Sequence, residues 1–200
     1  MFVHIVILYI SYNKTVLCMF VGIDPSLTGT GFVLLAEDAT IIITKKFSTP
    51  AVGVERLYHL ENKLLELLDS YKDIKLSCIE GGAYRETGRI FDLGEWSGVL
   101  KLNLYKKGIP VIPAAPLQLK KFVSGVGKNQ GKEVVILDVF KNFKEEIRDA
   151  DIADAYVLAR MARAYYYLFI SKNKINLKKY QLDVLKKIHK EHTGNTKKLI

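Results

Sequence analysis

Three strand-like segments follow one another, at residues 20–24, 30–36 and 40–47, before any helical period begins. That order restricts the fold more than any other feature of the chain. The first is a short apolar run. The second and third are rich in β-branched and apolar residues, with only Glu37-Asp38-Ala39 between them, so they read as a meander. The period then changes. Val54, Leu57, Leu60, Leu64, Leu65 and Leu68 fall at helical spacing. Residues 75–80 form a buried strand, 90–107 a helix ended by Gly108, and 109–113 a further strand with prolines at its edge. Pro116 opens a short helix, 124–131 is a glycine-rich loop, and 132–143 and 150–169 are two more helices. A meander continued by alternating helix and strand predicts an α/β fold, a mixed five-stranded sheet flanked by helices.

Four carboxylates punctuate this pattern. Asp24 closes the first strand, within G-I-D-P-S-L-T-G-T-G, and Glu80 closes the fourth, within S-C-I-E-G-G. Asp151 and Asp154 open the last long helix in D-A-D-I-A-D-A. Three residues apart, they share one helix face. Asp149 turns away from that face and is assigned to capping the helix. Small apolar neighbours (Ala150, Ile152, Ala153, Ala155) allow this turn to pack tightly on a sheet. If the fold gathers all four, the cluster is electrostatically untenable without cations. Hard oxygen donors of this kind suit divalent metal.

The chain has 200 residues, with an apolar fraction of 49% and a charged fraction of 26%, ordinary values for a globular domain. Its net charge of +9 is less ordinary and uneven. Residues 171–200 hold nine Lys against Asp183 and Glu191, a net +7, which leaves +2 for all the rest. A basic tail, with a helix over 177–188, points to a polyanionic partner, nucleic acid before an anionic membrane. The expected divisions are an N-terminal extension over 1–18, a catalytic domain over 19–170 and a basic C-terminal tail over 171–200. The extension is apolar from Phe2 to Ile10, too short to span a bilayer. The sequence from Met19, M-F-V-G-I-D-P, reads as a self-sufficient start, so 1–18 is expected to be an upstream extension, with an extra edge strand and, behind it, a membrane anchor as the alternatives. Cys18 and Cys78 make no zinc pattern, and a free Cys inside an apolar strand fits a reducing, cytoplasmic setting.

Taken in order over 19–169, these motifs resemble the RuvC-type Holliday-junction resolvases of the ribonuclease-H-like superfamily. G-I-D-P-S-L-T-G-T-G is similar to that family's first motif, I-E-G-G to its second, and D-A-D-I-A-D-A-Y-V-L-A to its terminal helix. L-Q-L-K-K-F-V-S-G-V-G-K is similar to its basic segment, and G-R-I-F-D-L-G-E-W-S-G-V-L-K resembles the phage-type members. The resemblance implies a ribonuclease-H-like fold and a structure-selective endonuclease. It implies that Asp24, Glu80, Asp151 and Asp154 bind two Mg²⁺ ions, with Mn²⁺ as a substitute, and that paired nicks leave 5′-phosphates. It places Lys120 near the scissile phosphate. The loop is about one residue longer than the family's, so Lys132 or Lys128 fills the second basic position; Lys132, which opens a helix near the anion, is favoured. Tyr84, displaced by about one residue, takes the place of a base-stacking aromatic, flanked by Arg85 and Arg89; Lys121 extends the DNA-binding surface. The implied partners are branched DNA and a second copy of the chain, with no membrane. The helix over 90–107 is the expected dimer face, and Trp96 within it is either part of that face or core.

Three rivals stand against this expectation. An actin-like ATPase or sugar kinase also places Asp, Gly and Thr after its first strand, but Pro25-Ser26 departs from that loop, and 200 residues cannot supply two such domains. A related nuclease acting on RNA or on branched nucleic acid generally is the nearest alternative. An idle binding module fits poorly with every acidic position filled.

Overall fold

The structure, a computed structural model, describes residues 18–81, 90–127 and 131–196. Of the positions singled out in the sequence, Tyr84, Arg85, Arg89, Lys128 and the extension up to residue 17 lie outside the described residues, as does the side chain of Lys132.

Five strands form one sheet: β1 (Met19–Asp24), β2 (Thr30–Leu35), β3 (Ile41–Phe47), β4 (Ile74–Glu80) and β5 (Val111–Ala114). Their order is β3-β2-β1-β4-β5. β1 pairs antiparallel with β2, and β2 with β3; β1 pairs parallel with β4, and β4 with β5. The helices are α1 (Gly53–Ser70), α2 (Ile90–Lys106), α3 (Pro116–Ser124), α4 (Lys132–Phe143), α5 (Ala150–Tyr165) and α6 (Lys179–Thr196), with one π-helical turn, Tyr166–Ile170, extending α5. The predicted meander, mixed sheet and helix order are all present.

Side-chain alternation along each strand splits the core in two. Val21, Ile23, Phe32, Leu34 and Ile79 face α1 and α2. Phe20, Val33, Leu35, Leu76 and Cys78 face α3, α4, α5 and α6. The same parity decides where the acids go. Asp24 shares the face of Phe20, and Glu80 shares the face of Leu76 and Cys78. Both therefore project from the sheet on the side that α5 covers.

α5 lies unusually close to that sheet, and two glycines allow it. A Cβ on Gly22 would stand 2.0 Å from the Ala155 carbonyl oxygen and 2.3 Å from the Ala159 nitrogen. A Cβ on Gly31 would stand 2.2 Å from the Asp151 carbonyl oxygen. Backbone meets backbone at both points, so no side-chain movement could relieve the clash. The helix, almost wholly buried from Ile152 to Ala159, is seated directly over β1 and β2.

Trp96 is core. It is fully buried, its indole N–H donates to Thr30 Oγ1 at 2.9 Å, and Phe47 packs edge-on against it. The core also continues past residue 170. Val184, Leu185 and Ile188 of α6 are buried in the α5-side cluster. Gln181 donates to the Phe122 carbonyl at 3.2 Å, and Tyr165 Oη lies 2.8 Å from His189 Nδ1. The stretch 171–200, expected as a basic tail, thus carries a docked helix. That helix displays Lys179, Lys186, Lys187 and Lys190 outward while its apolar stripe is part of the domain.

Gly22→Ala is expected to cost about 3 kcal/mol or more, because overpacking here meets rigid backbone. Chemical denaturation of the purified variant checks this, and an unchanged midpoint would contradict the seating of α5.

Candidate active site

Asp24 ends β1 and is buried, at 7% exposure. Its carboxyl is pushed well above the usual carboxylate range, first by burial, then by a hydrogen bond with Glu80 and the negative charges of Glu80, Asp154 and Asp151. One buried carboxyl thus feels all three of its expected partners. The fold brings the four residues to one end of the sheet, from three elements distant in sequence.

They do not close on a common point as they stand. Among the described residues, no group of three or more His, Cys, Asp or Glu side chains is drawn into metal-holding geometry. Two local arrangements account for the spacing. Asp24 and Glu80 are engaged with each other. Asp151 is engaged outward, with a cation the sequence did not single out: Lys46 Nζ lies 2.7 Å from Asp151 Oδ2 and 2.8 Å from Asp149 Oδ2. Those two carboxylates hold the ammonium above its ordinary pKa, and Lys46 in turn lowers that of Asp149. The only signal for Lys46 is strand register. Asp24 pairs with Gly31 and Gly31 with Lys46, which sets Lys46 in the same row and on the same face as Asp24.

Asp149 is the cap predicted for α5. Its Oδ1 accepts from the amides of Asp151 at 2.9 Å and Ile152 at 3.1 Å, which fixes the first turn and so the placing of Asp151 and Asp154. Lys120 is half-buried and Lys121 exposed on α3, the helix that follows β5 and so begins beside the strand carrying Glu80. At the same sheet end is a cavity of about 410 Å³ lined by Gly81, Pro113, Gln118, Ile188, Glu191 and His192, among others. Gln118 bridges its wall, accepting from the Ala115 amide and donating to Glu191 of α6. Gln118, Glu191 and His192 were not distinguishable in the sequence from solvated polar positions.

The all-oxygen donor set and the mutual repulsion registered at Asp24 fit a divalent cation. Without one, ionised Asp24 is a cost to the fold. Its folded-state pKa is raised, so the folded chain retains a proton that the unfolded chain releases. Stability is therefore lost as pH rises from the ordinary carboxylate range through the raised value. Asp24→Asn is expected to stabilise the chelator-treated protein at pH 8, raising its melting temperature. Melting curves in EDTA test it, and a destabilised variant would show that the cluster is not repulsive.

Comparison with known proteins shows the family. The family model described as crossover junction endodeoxyribonuclease RuvC matches residues 20–161. The crossover junction endodeoxyribonuclease RuvC of Ruegeria pomeroyi is 28% identical over 154 residues, covering 72% of this chain and 90% of that protein. That of Thermus thermophilus is 26% identical over 155 residues, covering 72% of this chain and 92% of that protein. A solved structure of Thermus thermophilus RuvC superposes with a TM-score of 0.60 at 26% identity, over 78% of this chain and 98% of that one. Another, of the same organism's RuvC in complex with Holliday junction substrate, shares the fold, with a TM-score of 0.62 at 23% identity over 78% of this chain and 98% of that one. With the match running from the strand of Asp24 to the helix of Asp154 and spanning well over half its length, the chain belongs to the RuvC family of crossover junction endodeoxyribonucleases.

Proposed function

We propose that this nuclease resolves four-way DNA junctions by paired nicks, with Asp24, Glu80, Asp151 and Asp154 as the ligands of two Mg²⁺ ions. The family is one of metal-dependent Holliday-junction nucleases. The observation that supports the residue assignment is the setting of Asp24, a buried strand-end carboxyl raised first by burial and further by Glu80, Asp154 and Asp151 beside it. When bound, the ions supply an activated water and charge neutralisation at the departing 3′-oxygen, which leaves a 5′-phosphate. The chain's own part is to hold its ligands against repulsion and to keep the site at the end of the sheet, past β1 and β4, where a phosphodiester can enter. Asp149 fixes the turn that bears Asp151 and Asp154. Lys120 and Lys121 on α3, with Lys128, Lys132, Tyr84, Arg85 and Arg89, would meet the DNA backbone and opened bases. Exposed Lys186, Lys187 and Lys190 on α6 add positive charge on a rigid support.

Two strands of a junction must be cut symmetrically, and a homodimer supplies two matched sites. The outer face of α2 suits that role. Phe91 is 84% exposed and Tyr105 80% exposed, and Leu102 stands between them on the same stripe. Gly94 and Gly98 on this stripe have open space above them, which permits close approach of a second helix.

Labelled four-way, three-way and linear DNA, incubated with and without Mg²⁺, tests the main proposal. Mg²⁺-dependent cutting of the four-way junction is expected, with Asp24→Asn, Glu80→Gln and Asp154→Asn each binding the junction and leaving it uncut. Cutting by any of these variants would refute the ligand assignment. For the dimer, Leu102→Glu with Tyr105→Glu is expected to halve the mass measured by light scattering; an unchanged mass would place the interface elsewhere.

A further inference from the structure

We infer that Lys46 is a tethered counter-ion for the active site: its ammonium occupies Asp151 while no divalent cation is bound and gives way to one on loading. The inference rests on the proposed role of Asp151 as a metal ligand and adds a positioning residue to that site.

The arrangement is built, starting from the sheet. Lys46 lies in one register row with Gly31 and Asp24, on the face covered by α5. Gly31 puts no side chain in the row between them. The lysine stem runs past a second glycine, since a Cβ on Gly29 would stand 2.4 Å from Lys46 Cε. The stem thus passes through a corridor left by two missing side chains and delivers Nζ to Asp149 and Asp151 together. The two carboxylates are not equivalent. Asp149 is committed to the helix start through Oδ1, and its Oδ2 holds Lys46. Asp149 is therefore a fixed anchor. The ammonium can stay on it and release Asp151, which is the more buried of the two acids, its side chain 14% exposed against 41%.

Electrostatics sets the direction of exchange. A single ammonium compensates one edge of a four-carboxylate cluster, and a divalent ion compensates more of it. The two cations repel when they share Asp151, so each weakens the other's hold. Lys46 spares the metal-free protein part of its internal repulsion and in return raises the concentration of metal needed to load the site.

Titration of the full chain with Mn²⁺, followed by the electron paramagnetic resonance of free Mn²⁺, tests this. Lys46→Met is expected to bind Mn²⁺ about five-fold more tightly than the wild type, while its chelator-treated form melts lower. Lys46→Arg, whose fork spans both carboxylates, restores the wild-type affinity. Equal or weaker binding by Lys46→Met would overturn the inference and make Lys46 a structural strut. Absence of saturable binding in the wild type, or binding unaffected by Asp154→Asn, would overturn the ligand assignment itself and Lys46's role with it.

Discussion

Everything at this site depends on how closely helix α5 can approach the sheet. Asp151 and Asp154 are held on a helix, Asp24 and Glu80 on strands, and their side chains are short. They share a site only because the helix backbone lies directly on β1 and β2, at Gly22 and Gly31. Any larger residue there would lift the helix and move its acids away from Asp24. The glycines of the first motif thus act at a distance from the chemistry, by fixing the separation of two layers. The alanines of α5 complete the fit from the other side. Ala155 and Ala159 are fully buried, and both lie against Gly22.

Close approach creates an electrostatic problem that the chain meets in two ways. On the strand side, Asp24 and Glu80 share a hydrogen bond, and burial favours the protonated form of Asp24. On the helix side, Asp151 is matched by Lys46. The first arrangement favours a proton, and the second supplies an ammonium from the chain itself. Both ease the crowding of four acids at one end of the sheet. The helix start adds a third contribution, since Asp149 and Asp151 lie where the α5 dipole favours negative charge.

The fold was largely legible because its elements obey strong local rules. Strand periodicity, Gly108 and Pro116 as boundaries, and the cap at Asp149 all act within a few residues of chain. The placement of the acids was legible too, once the parity of each strand is followed: Phe20 and Asp24 share a face, as do Leu76 and Glu80. Lys46 was not legible. Its partners are 103 residues away in sequence at Asp149, and its role follows from register across two hairpins rather than from its neighbours. In sequence it is one of two adjacent lysines in a strand, and Lys45 points to the other face. Trp96 was left open between core and interface, and its hydrogen bond to Thr30 decides for the core.

The Lys-rich C-terminal segment shows how composition can mask packing. Its charge is high enough to suggest a solvated tail, yet Val184, Leu185 and Ile188 form a stripe at helical spacing and are buried. Long cationic side chains do not oppose this, because they occupy the other side of the helix. α6 lies beyond the residues matched by the family model, although its Ile188 and Glu191 line the cavity next to Gly81 and its Tyr180 covers Gly125. The basic charge is therefore carried by an element that also supports α3, the helix of Lys120 and Lys121. Removing the whole segment would remove core and charge together. Only substitution of the outward lysines separates electrostatic attraction for DNA from the support of the site.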